Sequence, residues 1–398
     1  MNGTVIKRGP GRYSVVLDLG HDANSKRIRK WHSGYRTRKA AEAARVELLG
    51  RLQHGAYVDP STLTLRSYVG RWLDYMTALG RDERTVGRYR ELLDDHVLPY
   101  LGGLPVQRLS PLHLSDTYAL LLREGHSQLV RRRQEAGRNR RDSLPPGLSP
   151  RTVGHVHRAL HRALAQAVRW QLVSRNVATG LELPSVPKSE MVTLTREQAG
   201  ALLDAAESRP LLRWLVLLGV ATGARLGELL ALRWTDVDLE AGTVRIGASR
   251  RVVNRRVQVK GPKTEAGYRT VRPDPATVVA LKRLRAEQAG RRLALGERYH
   301  DHDLVICKPD GAPYRPDSVS GMFRSFADAQ GLPKSVHVHT LRHSAASFLA
   351  AAGVPASDIA AQLGHKDGGA LALRVYVHPM AEGLERAGAE LGAVLWGR

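Results

Sequence analysis

Four short clusters in the second half of this 398-residue chain hold the side chains that could do chemistry. The first is ATGARLGELL, where Gly223 closes one helix, Arg225 enters the next and Glu228 follows three residues on. On a helix that spacing makes neighbours of the two, so the carboxylate can orient the guanidinium; taken alone, the pair reads as an ordinary surface ion pair. The second is VKGPKTEAGYRTV, where Gly261-Pro262 precedes Lys263 and a strand resumes at Tyr268. A lysine on such a hairpin is a mobile point charge and, with cationic neighbours lowering its pKa, a proton donor; Lys260, three residues earlier, offers the same chemistry. The third is His337-Val338-His339-Thr340-Leu341-Arg342-His343, opening the helix SAASFLAAAG. His339 and Arg342 then share a helix face. His339 and His343 have the i, i+4 spacing of helical zinc ligands, but no acidic residue stands between them and Arg342 sets a positive charge beside any cation. The fourth is Leu363-Gly364-His365, ending a short helix that starts after Val354-Pro355, with Tyr376 eleven residues beyond His365. By itself Tyr376 reads as a core tyrosine with its hydroxyl satisfied locally.

The elements that must position these clusters belong to a mainly α chain with small antiparallel β-sheets, in three domains. Residues 190–398 form the domain that holds all four clusters. There Thr195-Arg196-Glu197-Gln198 resembles a capping box, and LLRWLVLLGVATG reads as a buried helix ending at a glycine. Strand patterns in TVRIGASRRVV, RRVQVK and YRTVRP predict one small antiparallel sheet, and helices resume at Pro275. Residues 62–185 carry helical periodicity in four segments, from TLRSYVGRWLDYM to SPRTVGHVHRALHRALAQAVRWQLV. Between the last two, the Arg-rich stretch 128–148 with Pro145-Pro146-Gly147 reads as a flexible basic loop. Residues 1–60 predict three short strands and a helix, with twelve Lys or Arg against five Asp or Glu. A basic sheet of that kind suits a nucleic-acid groove.

Composition narrows the partners. The chain holds 61 Lys and Arg against 38 Asp and Glu, a formal charge of +23, with a sequence pI near 10.7. Counterion release would draw such a protein to a polyanion, most simply nucleic acid. An anionic membrane surface is the weaker candidate, because the cations run along the whole chain instead of one amphipathic helix. Cys307 is the only cysteine, which excludes a disulfide framework and favours the cytoplasm, with the thiol buried and structural. The N-terminus lacks a signal-peptide stretch, and no run of about 18 apolar residues occurs. A GxxxxGK(S/T) loop and an acidic cluster for two-metal chemistry are both missing from the sequence.

In this order the four clusters resemble the tyrosine recombinase, or phage integrase, family. The matching residues are Ala221-Thr222-Gly223-Ala224-Arg225 with Glu228, Pro262-Lys263-Thr264, His339-Thr340-Leu341-Arg342-His343, and Leu363-Gly364-His365 with Tyr376. The helical segment resembles the family's core-binding domain, and residues 1–60 resemble the arm-binding domain of larger integrases. The interval from His365 to Tyr376 is one or two residues longer than usual and contains Gly368-Gly369, which reads as looping out. The resemblance implies a site of Arg225, Lys263, His339, Arg342, His365 and the nucleophile Tyr376, with Glu228 and His343 supporting, and neither cofactor nor metal. It also implies a homotetramer on DNA attachment sites, a directionality factor and a host DNA-bending protein as partners, and a nucleoid-associated location when bound. A type IB topoisomerase shares this chemistry, but the arm-like module and the amphipathic tail AEGLERAGAELGAVLW weigh against it. A non-catalytic DNA-binding repressor would not need the whole set of reactive residues.

Overall fold

The computed structural model describes residues 2–21, 26–53, 57–135, 146–187, 191–253, 256–261, 267–364 and 370, with only the helical backbone for 126–135. The chain divides into two compact units, 1–187 and 188–398.

The first unit begins with an antiparallel sheet in the order β1 (Asn2–Gly9), β2 (Arg12–His21), β3 (Arg27–Tyr35). Period-two alternation sends Val15 and Leu17 of β2 to one face, where helix α1 (Arg38–Gln53) covers them through Ala41, with Ala44, Leu48 and Leu49 alongside. On the opposite face Thr4, Val16 and Trp31 lie in register across the three strands, and the Arg8 guanidinium sits 4.1 Å from the centre of the Trp31 ring. Trp31 remains 45% exposed, an aromatic and a cation together on an uncovered sheet face.

The same unit continues as helices α2 (Leu65–Ala78), α3 (Glu83–His96), α4 (Leu98–Leu101), α5 (Pro111–Glu135) and α6 (Pro150–Arg169). Thr64, Asp82 and Ser149 cap the N-termini of α2, α3 and α6, each accepting a hydrogen bond from an amide three residues on. These helices enclose a core of their own, built on Trp72, Tyr68, Leu93, Leu121 and Leu160, in which the Tyr68 hydroxyl donates to the Ala163 carbonyl at 2.5 Å. One boundary differs from expectation. The stretch 128–148 does not begin as a loop, because α5 runs through Gly125 to Glu135. Leu, Arg, Gln and Glu are good helix formers, and their summed propensity carries the helix past a single glycine. Residues 136–145 of that stretch lie outside the described residues, and Leu148 returns to α5 with its amide on the Leu121 carbonyl.

The second unit opens with α7 (Arg196–Ala205), whose Thr195–Gln198 capping box forms as the sequence predicts, followed by α8 (Pro210–Thr222) and the single turn α9 (Leu226–Leu229). The strands are β4 (Val237–Asp238), β5 (Thr243–Ile246), β6 (Ser249–Val253), β7 (Arg256–Lys260) and β8 (Arg269–Val271). They form two sheets where one was expected: β4-β5-β8 and a separate hairpin β6-β7. Sequence alternation marks strands but not partners, and β8 pairs back onto β5 across the hairpin. Helices α10 (Pro275–Leu295), α11 (Pro316–Ala329), α12 (Val338–Ala351) and α13 (Ala356–Leu363) complete the unit. Its core gathers Leu215 and Leu218 of α8, Phe323 and Phe326 of α11 and Leu341 of α12. Cys307 is half-buried where a buried thiol was expected, 3.4 Å from Gln288 Nε2, and burial pushes its thiol up. Among the described residues, no helix is long and apolar enough to cross a membrane.

Candidate active site

Helix α8 ends at Gly223 in the left-handed conformation, φ 61° and ψ 18°. The fit there is tight: a Cβ on Gly223 would lie 2.4 Å from Leu363 Cδ2, so the end of α8 and the end of α13 meet at this glycine. Two residues later Arg225 occupies the N-cap of α9. Glu228, at the third helical position, accepts from the Arg225 amide at 2.9 Å through Oε2 and from Arg225 Nη1 at 2.7 Å through Oε1. The three-residue spacing seen in the sequence is thus a capping geometry and an ion pair at once. The Glu228 side chain is buried, whereas that of Arg225 is 44% exposed.

Burial by itself would raise the Glu228 carboxyl. Hydrogen bonding and charge from Arg269, then the bonds from Arg225, outweigh burial and hold the carboxyl below its usual value. Arg269 is the residue that the sequence reading missed. It lies on β8 and is buried; its Nη2 donates to Glu228 Oε2 at 2.9 Å and its Nε to the Gln362 carbonyl at 2.8 Å. A signal was present. Arg269 shares parity with Val271, so alternation places a guanidinium on the buried face of a strand, where it requires an anionic or carbonyl partner.

Arg342, on α12, is buried and spans the same junction. Nη1 donates to the Gly223 carbonyl at 2.8 Å and Nη2 to the Leu363 carbonyl at 2.6 Å. The third cluster is therefore split by depth: Arg342 lies inside while His339, one turn earlier, is exposed. The His339 imidazole is pushed down to about 4, first by partial burial and then by the positive fields of His343, Arg342, His337 and Arg225. Because more than a third of His339 stays open to solvent, burial supplies only part of that push. His343 meets His339 edge-on with ring centres 4.4 Å apart, and His337 caps α12 through Thr340.

The hairpin β6-β7 packs against α9. A Cβ on Gly227 would lie 2.5 Å from the Arg250 carbonyl oxygen, and Arg250 Nε donates to the Leu230 carbonyl at 3.0 Å. Lys260 ends β7, paired with Ser249 and exposed. The structure thus brings together Arg225, Glu228, Arg342, His339 and His343. Lys263, His365 and Tyr376 lie outside the described residues.

The sequence profile of the Phage integrase family matches residues 192–382, and that of the Phage integrase N-terminal SAM-like domain matches residues 64–122. An integrase of Streptomyces ambofaciens is 32% identical over 375 residues, covering 92% of this chain and 89% of that relative. The chain belongs to the phage integrase family. It is a tyrosine-type site-specific recombinase, an enzyme that cleaves and religates DNA strands. A XerC-like tyrosine recombinase of Caldanaerobacter subterraneus subsp. tengcongensis is 26% identical over 396 residues, covering 94% of both chains. In fold, the recombinase is similar to the Tn1549 transposon integrase solved with transposon right-end DNA, with a TM-score of 0.63, 19% identity, and coverage of 83% of this chain and 100% of that one. It is also similar to the lambda integrase solved as a dimer on a core site, with a TM-score of 0.53, 17% identity and coverage of 94% of each.

Proposed function

We propose that this recombinase integrates or excises a mobile element by attack of the Tyr376 hydroxyl on a DNA phosphate. The observation that carries the reading is the junction of α8, α9, α12 and α13, where Arg225 and Arg342 come to one place beside a neutral His339. As Tyr376 Oη bonds to phosphorus, the bond to the 5′ oxygen breaks and negative charge grows on the non-bridging oxygens. Arg225 and Arg342 balance that charge. A free phenol has a pKa of about 10, and His339, neutral at physiological pH, is suited to take its proton. His365 donates a hydrogen bond to the phosphate, and Lys263 protonates the departing 5′ oxygen, with Lys260 as the alternative. The 3′-phosphotyrosyl bond conserves the energy of the broken linkage, so a 5′ hydroxyl from a second duplex can reverse the step without ATP or metal and form a Holliday junction.

Partners follow from the same reading. The lambda integrase has been solved as a tetramer on a Holliday junction, and four subunits joining two duplexes is the assembly proposed here, with a directionality factor and a DNA-bending protein as further partners. Residues 62–185 and 190–398 are assigned to the core site. Residues 1–60, with Arg8 and Trp31 on their open sheet face, are assigned to a distant arm site.

The test begins with a pool of random-sequence duplexes, each nicked once to trap cleavage. The expected result is a denaturant-resistant protein–DNA adduct enriched in one core sequence, present with wild type and absent with Tyr376→Phe. An adduct that survives Tyr376→Phe overturns the assignment. Activity kept by Lys263→Ala and lost by Lys260→Ala moves the proton donor to Lys260.

A further inference from the structure

The carboxylate of Glu228 is shared. Oε1 faces Arg225 Nη1, while Oε2 accepts from the Arg225 amide and from Arg269 Nη2. Arg269 also binds the Gln362 carbonyl, the residue before the Leu363 carbonyl that Arg342 holds. Two buried guanidiniums, from β8 and α12, thus grip consecutive carbonyls at the end of α13, and His365 follows two residues after Leu363.

From this geometry we infer that Arg269 is a positioning residue for the phosphate site: through Glu228 it holds Arg225, and through Gln362 it fixes the end of α13 beside Arg342. The inference rests on the assignment of Arg225 to the scissile phosphate. Two physical effects support it. Arg225 is half-exposed and would sample many rotamers; a carboxylate locked in plane by a second arginine gives it one. Charge is the second effect. Glu228 paired with Arg225 alone would cancel the positive charge that the phosphate needs, but between two arginines it leaves the trio with one net positive charge. Burial of Arg269 is costly in itself, since its Nη1 is buried and meets no acceptor among the described residues. Arg269→Met removes one partner of a buried ion pair and is expected to lower thermal stability, with Arg225 left as the counter-charge of Glu228.

The test uses full-length protein and the core duplex selected above, nicked, with the scissile linkage either a phosphodiester or a neutral methylphosphonate. Single-turnover adduct formation at saturating protein is compared for wild type, Arg269→Met and Arg269→Lys, together with DNA affinity and thermal unfolding. Arg269→Met is expected to bind DNA like wild type and to cleave the phosphodiester about 100-fold more slowly, the effect of displacing a reacting group by about 1 Å. On the methylphosphonate, which lacks the charge that Arg225 balances, that deficit should shrink by about tenfold or more. Arg269→Lys keeps the charge but not the two-point grip, and should fall between wild type and Arg269→Met. It also serves as the readout if Arg269→Met does not fold, with the same relief expected on methylphosphonate. Equal slowing on both substrates, or wild-type rates for the variants, overturns the inference while leaving the Tyr376 reading intact. A wild-type protein that forms no adduct overturns both.

Discussion

Gly223→Ala tests whether the α8–α13 junction is as tight as the structure shows. At φ 61° an alanine adopts the left-handed conformation at a cost of about 1–2 kcal/mol. Its Cβ would also lie 2.4 Å from Leu363 Cδ2. Leu363 is fully buried against Ala346 and Ile359, so it cannot swing aside, and overpacking of this kind costs about 1–3 kcal/mol. Together the two come to about 2–5 kcal/mol, below the total stability of an ordinary domain. The variant should therefore fold with a loosened junction. Because Arg342 bridges the Gly223 and Leu363 carbonyls, spreading them by about 1 Å also misplaces its guanidinium, which should slow cleavage about 100-fold. Hydrogen exchange read peptide by peptide over residues 210–222 and 356–363 measures the first effect. At about 1.4 kcal/mol per factor of ten, protection should fall about 30-fold or more. Adduct formation measures the second. Gly290→Ala is the control: this exposed glycine within α10 has nothing within 4 Å of a new Cβ, and the change should stabilise the helix by about 0.5–1 kcal/mol. Wild-type exchange and wild-type cleavage in Gly223→Ala would refute the reasoning about this junction.

Three further outcomes are expected. An NMR titration should find the His339 imidazole neutral down to a pH of about 4; a midpoint at or above the ordinary histidine value would contradict the lowering by burial and by the neighbouring cations. Since the folded pKa is the lower one, the unfolded chain takes up the proton first, so this group costs stability as pH falls from about 6.5 towards 4. Glu228→Gln should destabilise the second unit by about 3–5 kcal/mol, because Arg269 keeps its charge in a buried site without a counter-charge; a calorimetric scan matching wild type would contradict this. In wild type the Glu228 contribution is present above the unfolded carboxyl pKa and is lost as pH drops through the lower folded value. Finally, deletion of residues 1–60 should leave adduct formation on the core duplex intact and abolish integration that depends on an arm site. Undiminished integration by the shortened protein would remove the arm role.

Much of the site could be read from local spacing. Arg225 and Glu228 are three apart, Gly223 stands where a helix must stop, and Thr195 and Gln198 form a capping box; each depends on geometry within one turn, which sequence separation specifies. The depth of Arg342 beneath His339 could not be read that way, since a three-residue spacing gives angular proximity and says nothing of which residue faces the core. The end of α5 was misplaced because one glycine weighs less than the helix formers around it.

By itself, the sequence determined the basic charge, the mainly helical class and the order of the four motif clusters, because composition and short-range periodicity are properties of the chain. Tertiary structure alone decided that Arg269 shares Glu228 with Arg225, and that Arg269 and Arg342 grip neighbouring carbonyls of α13. Those contacts join residues 21 to 93 positions apart. The reason is physical: a buried guanidinium must find an acceptor, and which acceptor it finds is settled only when the sheet, the helices and their ends pack together.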